Sequence, residues 1–293
     1  MIKIIEAFKN LSVKGKVLTI VLISAVLTMA VLIPVLIIYL KDPKKEEPMR
    51  VMEYEEESIV VEEYPGPYDP DNFENRGEFK YYYDEEGNIK SMMGIDVSYA
   101  QKNIDWPRVK ASGIDFAIIR VGYRGYETGD IHLDEYFEKN ITEADEAGVK
   151  VGVYFFSQAL TPEEAKEEAE FTIEHIRGYN ITFPVVFDWE TIGTSPARSD
   201  SISSDALNLS ALEFCKTIEN AGYKPMIYSS LNLLREQYHK YDDRITVNDL
   251  WLAEYKNRPE YPKDFVMWQY TSEGHVDGIQ KLVDLDMFFG TME

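Results

Sequence analysis

Cysteine is nearly absent from this chain: Cys215 is the single one in 293 residues, so no disulfide can form within it. A core of this size needs no such staple. Cys215 falls in an amphipathic stretch, Leu207 to Gly222, where it reads as a small buried apolar residue. Histidine is scarce too, with His132, His175, His239 and His275 all remote from the acidic motifs described below, which argues against a zinc site. No Ser-His or Cys-His pairing and no Gly-rich nucleotide-binding loop is visible. Positive charge is in short supply, 30 Lys and Arg against 52 Asp and Glu for a net charge of −22. That balance argues against nucleic acid as a partner.

What is present is unevenly distributed. Residues 1–45 carry a net charge of +5, residues 46–90 a net of −11 and residues 91–293 a net of −16. Val17 to Leu40 contains no charged side chain over 24 residues, about 36 Å as a helix and enough to span a bilayer. The run is longer than the apolar region of a cleaved signal peptide and ends in Ile-Ile-Tyr-Leu-Lys-Asp, so it reads as an uncleaved anchor. The expected organisation is a cytoplasmic tail over 1–16, a transmembrane anchor over 17–40, an acidic extracytoplasmic stalk over 41–90 and a folded domain over 91–293. The protein would be single-pass, with the folded domain outside. Within the stalk, Tyr81 to Gly87 suggests a short hairpin or an edge packed onto the domain. Sequons at Asn140, Asn180 and Asn208 matter only in a host that glycosylates them.

From Met93 onward, short apolar runs alternate with amphipathic stretches. Strands are predicted at Gly94–Val97, Phe116–Val121, Lys150–Phe156, Phe183–Asp188, Lys224–Tyr228, Leu250–Glu254 and Phe265–Tyr270. Helices are predicted at Trp106–Ser112, Asp134–Ala147, Pro162–Arg177 and Ser204–Ala221. Thr161-Pro162-Glu163-Glu164 is a strong helix start, and Gly113, Gly148 and Gly222 sit where C-terminal caps belong. The alternation predicts an α/β protein with a parallel sheet closed into an irregular, TIM-like (β/α) barrel. The last strands lie too close together for eight full repeats.

The chemistry concentrates at Phe187-Asp188-Trp189-Glu190, the end of the run that starts at Phe183. Side chains alternate on a strand, so Asp188 and Glu190 share one face and Trp189 takes the other. Two carboxylates on one face of an apolar strand are costly unless used or paired. Their proximity splits their proton affinities, as glycoside hydrolysis requires. Strand ends form the working face of such barrels. Asp96 ends the first strand, and Asp284 sits in the last apolar segment, Leu282 to Asp286. Closure would set first and last strands side by side and bring Asp96 next to Asp284. Other uses of these acids stay open: Asp96 as a helix cap, Asp284 in an ion pair with Arg120, or the cluster as an oxygen-rich Mg²⁺ or Ca²⁺ site.

From Met93 to Phe289 the chain resembles the glycoside hydrolase family 25 lysozymes, the Chalaropsis-type N-acetylmuramidases. Gly94-Ile95-Asp96-Val97-Ser98 with Ile104-Asp105-Trp106 is similar to the family's opening motif, and Phe116 to Arg120 to its second strand. Val151 to Phe156 is similar to its third, although Phe155 stands where many members have His. Asp188-Trp189-Glu190 matches the catalytic Asp-x-Glu. Trp251 to Tyr255, Trp268-Gln269-Tyr270 and Val276 to Leu285 resemble the closing part. The resemblance implies cleavage of the β-1,4 bond after N-acetylmuramic acid in peptidoglycan, without a cofactor or metal. It implies Glu190 as general acid, Asp188 as its partner carboxylate, and Asp96 and Asp284 as groups that tune the pair and bind sugar. Tyr154, Tyr228, Trp251 and Trp268 are the candidate stacking platforms. Phe155 would remove a polar group from the pocket region. The partners implied are peptidoglycan glycan strands and, through the anchor, the membrane. Two other readings stand beside this one: a chitinase-type glycosidase, whose motif also ends in Asp-Trp-Glu, and a non-catalytic, membrane-anchored glycan-binding or scaffold protein.

Overall fold

A computed structural model describes residues 66–193, 197–238 and 249–290, together with Ser12, Lys14 and Gly15. All elements below belong to the unit Glu62–Glu293. The expected single-pass membrane placement is corrected here. Among the described residues no helix is long and apolar enough to cross a membrane. The longest, Ser204–Asn220, has 17 residues and carries Asp205, Glu213, Lys216 and Glu219. Residues 17–40, on which that expectation rested, lie outside the described residues.

Eleven strands are described: β1 (Phe73–Arg76), β2 (Phe79–Tyr82), β3 (Ser91–Val97), β4 (Phe116–Arg124), β5 (Ile131–Leu133), β6 (Lys150–Ser157), β7 (Ile181–Trp189), β8 (Pro225–Ser230), β9 (Asp249–Ala253), β10 (Met267–Gly274) and β11 (Val283–Phe289). The main sheet runs β3-β11-β10-β9-β8-β7-β6-β4-β5, and β3 also pairs with β4, which closes eight strands into a ring. Seven ring strands are parallel to their parallel neighbours, while β11 runs antiparallel between β10 and β3. β5 is a short antiparallel addition to the far end of β4.

Helices α1 (Trp106–Ala111), α2 (Phe137–Glu146), α3 (Pro162–Ile176) and α4 (Ser204–Asn220) follow the early strands. Among the described residues, the later connections carry only the short turn Leu231–Leu233 and its continuation to Tyr238. The irregularity anticipated from the crowded last strands is therefore in the helix layer. Helix α3 starts as its sequence dictates: Thr161 Oγ1 accepts from the Glu164 N–H at 3.3 Å. Glu164 does not close the box on Thr161; its carboxylate accepts from Leu160 N–H at 2.8 Å and pairs with Arg198 at 2.7 Å.

Strand alternation sorts the apolar residues into two cores. One lies between sheet and helices and includes Ile95, Val97, Phe155, Phe187, Trp189, Phe214 and Trp268. The other fills the ring, where Phe116 and Phe183 stack with centroids 4.4 Å apart and Phe288 packs edge-on against both. Gly94 makes room for this plug, because a Cβ there would lie 2.1 Å from the Phe116 ring. The plug closes one end of the ring and leaves the other for polar groups.

Residues 66–90 pack onto the barrel rather than standing apart from it. β1 and β2 form a hairpin, Tyr68 stacks on Phe289 at 3.6 Å, and its hydroxyl donates to the Phe265 carbonyl at 2.7 Å. Phe73 meets Trp268 edge-on at 5.7 Å. With Tyr82, which meets Phe289 edge-on at 5.5 Å, three aromatic rings spaced along an acidic segment anchor it, burying apolar area that the surrounding charges conceal in composition. Asn140 and Asn208 are buried, so these two sequons offer no accessible acceptor.

Candidate active site

The polar end of the ring holds a cavity of about 250 Å³ lined by Asp96, Arg120, Tyr154, Phe156, Asp188, Glu190, Tyr228, Trp251, Tyr255, Gln269 and Asp284. Asp188 and Glu190 reach it from the end of β7, and Trp189 between them points into the helix layer. Asp96 of β3 and Asp284 of β11 are direct register partners. The four acids expected to converge thus do so, from β3, β7 and β11.

The strand faces decide which aromatic residues join them. Tyr154, Tyr228 and Trp251 line the cavity. Trp268 does not: it sits on the outward face of β10, fully buried, with its indole N–H donating to the Glu254 carbonyl at 2.8 Å. Its expected stacking role is corrected, and its neighbour Gln269 takes the inward position. Phe155 is corrected likewise. It faces the helix layer and packs near Phe171, centroids 6.0 Å apart, so the inward neighbours Tyr154 and Phe156, not Phe155, set the polarity of the pocket.

Gln269 organises one wall. Its amide donates to Asp96 Oδ2 at 2.7 Å, while its carbonyl oxygen accepts from Tyr228 at 3.0 Å and Tyr255 at 2.9 Å. Below it Asp286, completely buried, accepts from the Trp251 indole at 3.0 Å. The opposite wall carries Arg120, whose ion pair at 2.7 Å is with Asp134 rather than Asp284. Its guanidinium lies 4.9 Å from the Tyr99 ring centroid.

Burial raises the proton affinity of every acid in this cluster. Asp188 is pushed well above the usual carboxylate range by burial and then by Glu190, with Arg120 acting against the rise. Glu190 is raised by burial and by the charge of Asp284, and lies within hydrogen-bonding reach of Asp188. Asp96 and Asp286 are both raised well above the normal range by burial, with Asp284 adding to each. Asp284, the most open, is raised to about 6 by burial. Burial and the nearby charge of Asp284 act in the same direction on Asp188 and Glu190, favouring the protonated form of each. Among the described residues no group of three or more His, Cys, Asp or Glu is disposed to hold a metal ion.

The backbone of Glu190 is fixed from outside the cavity. Buried Gln158 donates to the Glu190 carbonyl at 3.0 Å, and its own oxygen accepts from Ser199. Arg198 donates to the Gln158 carbonyl at 3.1 Å and pairs with Glu164. Sequence reasoning missed Gln158, Gln269, Tyr255 and Asp286. For Gln269 and Asp286 the signal was available, since each stands at an even spacing from a residue on the inward face of its strand. Nothing local marked Gln158.

A closed ring with a buried carboxylate pair at its mouth suits chemistry on glycosidic bonds. Residues 95–279 match the model of the Glycosyl hydrolases family 25, and the chain belongs to that family. It is 30% identical over 201 residues to the autolytic lysozyme of Clostridium acetobutylicum, covering 67% of this chain and 56% of that one. It is 27% identical over 217 residues to lysozyme M1 of Streptomyces globisporus, covering 70% of each. Among solved structures it is similar to the modular autolysin LytC of Streptococcus pneumoniae in complex with a synthetic peptidoglycan ligand. The TM-score there is 0.60 at 26% identity, over 74% of this chain and 52% of that one. The chain spans little more than half the length of the first and last of these relatives.

Proposed function

We propose that this protein hydrolyses the β-1,4 bond between N-acetylmuramic acid and N-acetylglucosamine in peptidoglycan, through a catalytic domain spanning residues 66–290. The observation that carries the reading is the convergence of Asp188 and Glu190 with Asp96 and Asp284 on one cavity at the barrel mouth. The names of the relatives, two lysozymes and an autolysin seen with a peptidoglycan ligand, support the substrate.

Glu190 gives its proton to the glycosidic oxygen as the bond breaks, and its raised proton affinity favours the protonated form that this donation needs. Asp188, in contact with Glu190, cannot stand on the opposite side of the bond with room for a water or a sugar between them. It serves instead by holding the substrate's own acetamido group in line to assist departure, a known variant of the two-carboxylate scheme. Asp284 raises the proton affinity of both members of the pair by its charge, and Asp96 and Asp284 bind sugar hydroxyls. Tyr154, Tyr228 and Trp251 wall the reacting sugar. A second cavity of about 590 Å³ shares Arg120 and Phe156 with the first and adds Tyr99, Tyr123 and Tyr126. Exposed tyrosine rings suit the apolar faces of successive sugars, so the glycan strand lies along this side.

The test is digestion of purified peptidoglycan by wild type and Glu190→Gln, with mass analysis of the new reducing ends. New N-acetylmuramic acid ends, reduced by about 10²–10⁴-fold in the variant, are the expected result. New ends on chitin alone would replace the muramidase with a chitinase. No new ends on any wall type from folded protein would leave a glycan-binding role.

A further inference from the structure

On the other side of the catalytic cavity, across Tyr255, opens a wide groove. It measures about 1020 Å³, and its walls include Glu78 and Lys80 of β2, the loop Lys256–Glu260, and Thr271 to Gly274 of β10. Tyr255 lines both spaces, so the groove continues the cleft. One wall comes from the β1–β2 hairpin, which precedes the region matched to the family, residues 95–279. The tyrosine side suits sugar rings. This side is built differently, with cations (Lys80, Lys256, Arg258) and anions (Glu78, Glu260, Glu273) set around one trough.

Lys80 is the informative member. It is 9% exposed. Its ammonium donates to Asn75 Oδ1 at 3.0 Å and the Asn257 carbonyl at 3.3 Å and lies 5.6 Å from the Tyr270 ring centroid. Among the described residues it has no carboxylate partner, and burial alone lowers its proton affinity. A lysine ammonium carries three donors, and a buried one without a counter-charge is costly unless an anion completes it. Arg258 stands exposed in the same wall. Uncharged N-acetylglucosamine gives such groups nothing to neutralise. A short peptide bearing both carboxylates and an amine does, with Glu273 available to the amine.

We propose that this groove binds the peptide stem that peptidoglycan carries on its muramic acid, with a stem carboxylate seated on Lys80 and Arg258. The inference rests on the peptidoglycan reading above. It makes the hairpin a specificity element: glycan with intact stems is preferred over bare glycan.

Two measurements on the full chain test this. The first compares kcat/KM on stem-bearing peptidoglycan and on glycan stripped of stems by an amidase, for wild type, Lys80→Met, Lys80→Arg and Arg258→Ala. Wild type is expected to prefer stem-bearing glycan by about tenfold or more, the size of a hydrogen bond between charged groups. Lys80→Met and Arg258→Ala bring that ratio towards one, and Lys80→Arg restores part of it. Arg258 is exposed, so its variant reads the groove even if Lys80→Met unfolds. Equal cleavage of both polymers by wild type, or an unchanged ratio in Arg258→Ala, overturns the proposal. The second measurement titrates synthetic stem pentapeptide into the protein without any turnover. Binding weakened about tenfold by Arg258→Ala supports the groove even if no polymer is cleaved, in which case only the hydrolytic reading falls. Absent or Arg258-independent binding sinks the groove while leaving the hydrolytic reading to its own test.

Discussion

Asp96 and Asp284 face each other as register partners on β3 and β11, across the one antiparallel seam that joins the end of the ring to its beginning. Two carboxylates meet where the fold closes, and Asp286 lies on the same face two residues further along β11. This seam is costly at neutral pH and useful for the same reason.

The cost has a definite pH window. Asp284 is raised to about 6 in the folded protein, against about 3.9 unfolded. Its protonated form is the favoured one, so its contribution is intact below about pH 4 and is lost as pH rises through about 6. Asp284→Asn is therefore expected to match wild type in stability at pH 4 and to exceed it at pH 7, on the order of 1–3 kcal/mol. Denaturant melts at the two pH values check this; equal gains at both would remove the electrostatic cause.

The usefulness shows in the rate. The charge of Asp284 helps raise Glu190. Neutralising it lowers the Glu190 proton affinity, so the alkaline limb of the kcat profile should move to lower pH in Asp284→Asn. A limb that stays in place while overall rate falls would mean Asp284 acts only by binding sugar.

Gln158 tests the outer support of the acid. Gln158→Ala removes the donor to the Glu190 carbonyl and leaves Ser199 without its acceptor. A loss of about 1–3 kcal/mol in stability is expected, with kcat falling more than KM rises because the acid is no longer held in place. A variant as active as wild type would show that β7 alone positions Glu190.

The two tryptophans should separate cleanly. Trp251→Phe deprives buried Asp286 of its indole donor beside the cavity and should lower kcat/KM. Trp268→Phe loses a bond to the Glu254 carbonyl behind the sheet and should cost about 1 kcal/mol of stability with kcat unchanged. Melting curves and peptidoglycan turnover measured on both variants decide it.

Gly94→Ala is expected to destabilise strongly, by about 1–3 kcal/mol or more. The added methyl would meet the Phe116 ring at 2.1 Å, and that ring is held by Phe183. A thermal melt within a degree of wild type would mean the aromatic plug shifts freely.

Much of this site was legible because β-strand alternation is a strict rule. It set Asp188 and Glu190 on one face with Trp189 behind, and the logic of ring closure brought Asp96 to Asp284. The same rule, applied to β6 and β10, assigns Phe155 and Trp268 to the outer face; their chemical appeal as pocket residues outweighed their parity. Other features left no local trace. The antiparallel run of β11 follows a connection after β10, residues 275–282, that carries no helix, which apolar content does not report. The tyrosines from Tyr81 point to an edge packed on the domain, but the partner strand Phe73–Arg76 hides inside an acidic segment whose average composition masks its ring contacts. Gln158 gains its role from a loop partner 32 residues away.

The seam also decides when the acid cluster is complete. β11 is the last of the described strands to leave the ribosome, and it brings Asp284 and Asp286 with it. Until it docks between β10 and β3, Asp96 faces an open gap, the ring is unsealed, and Glu190 lacks the neighbour that helps keep it loaded. A chain in which β11 has not yet docked therefore has an open ring and an incomplete acid cluster.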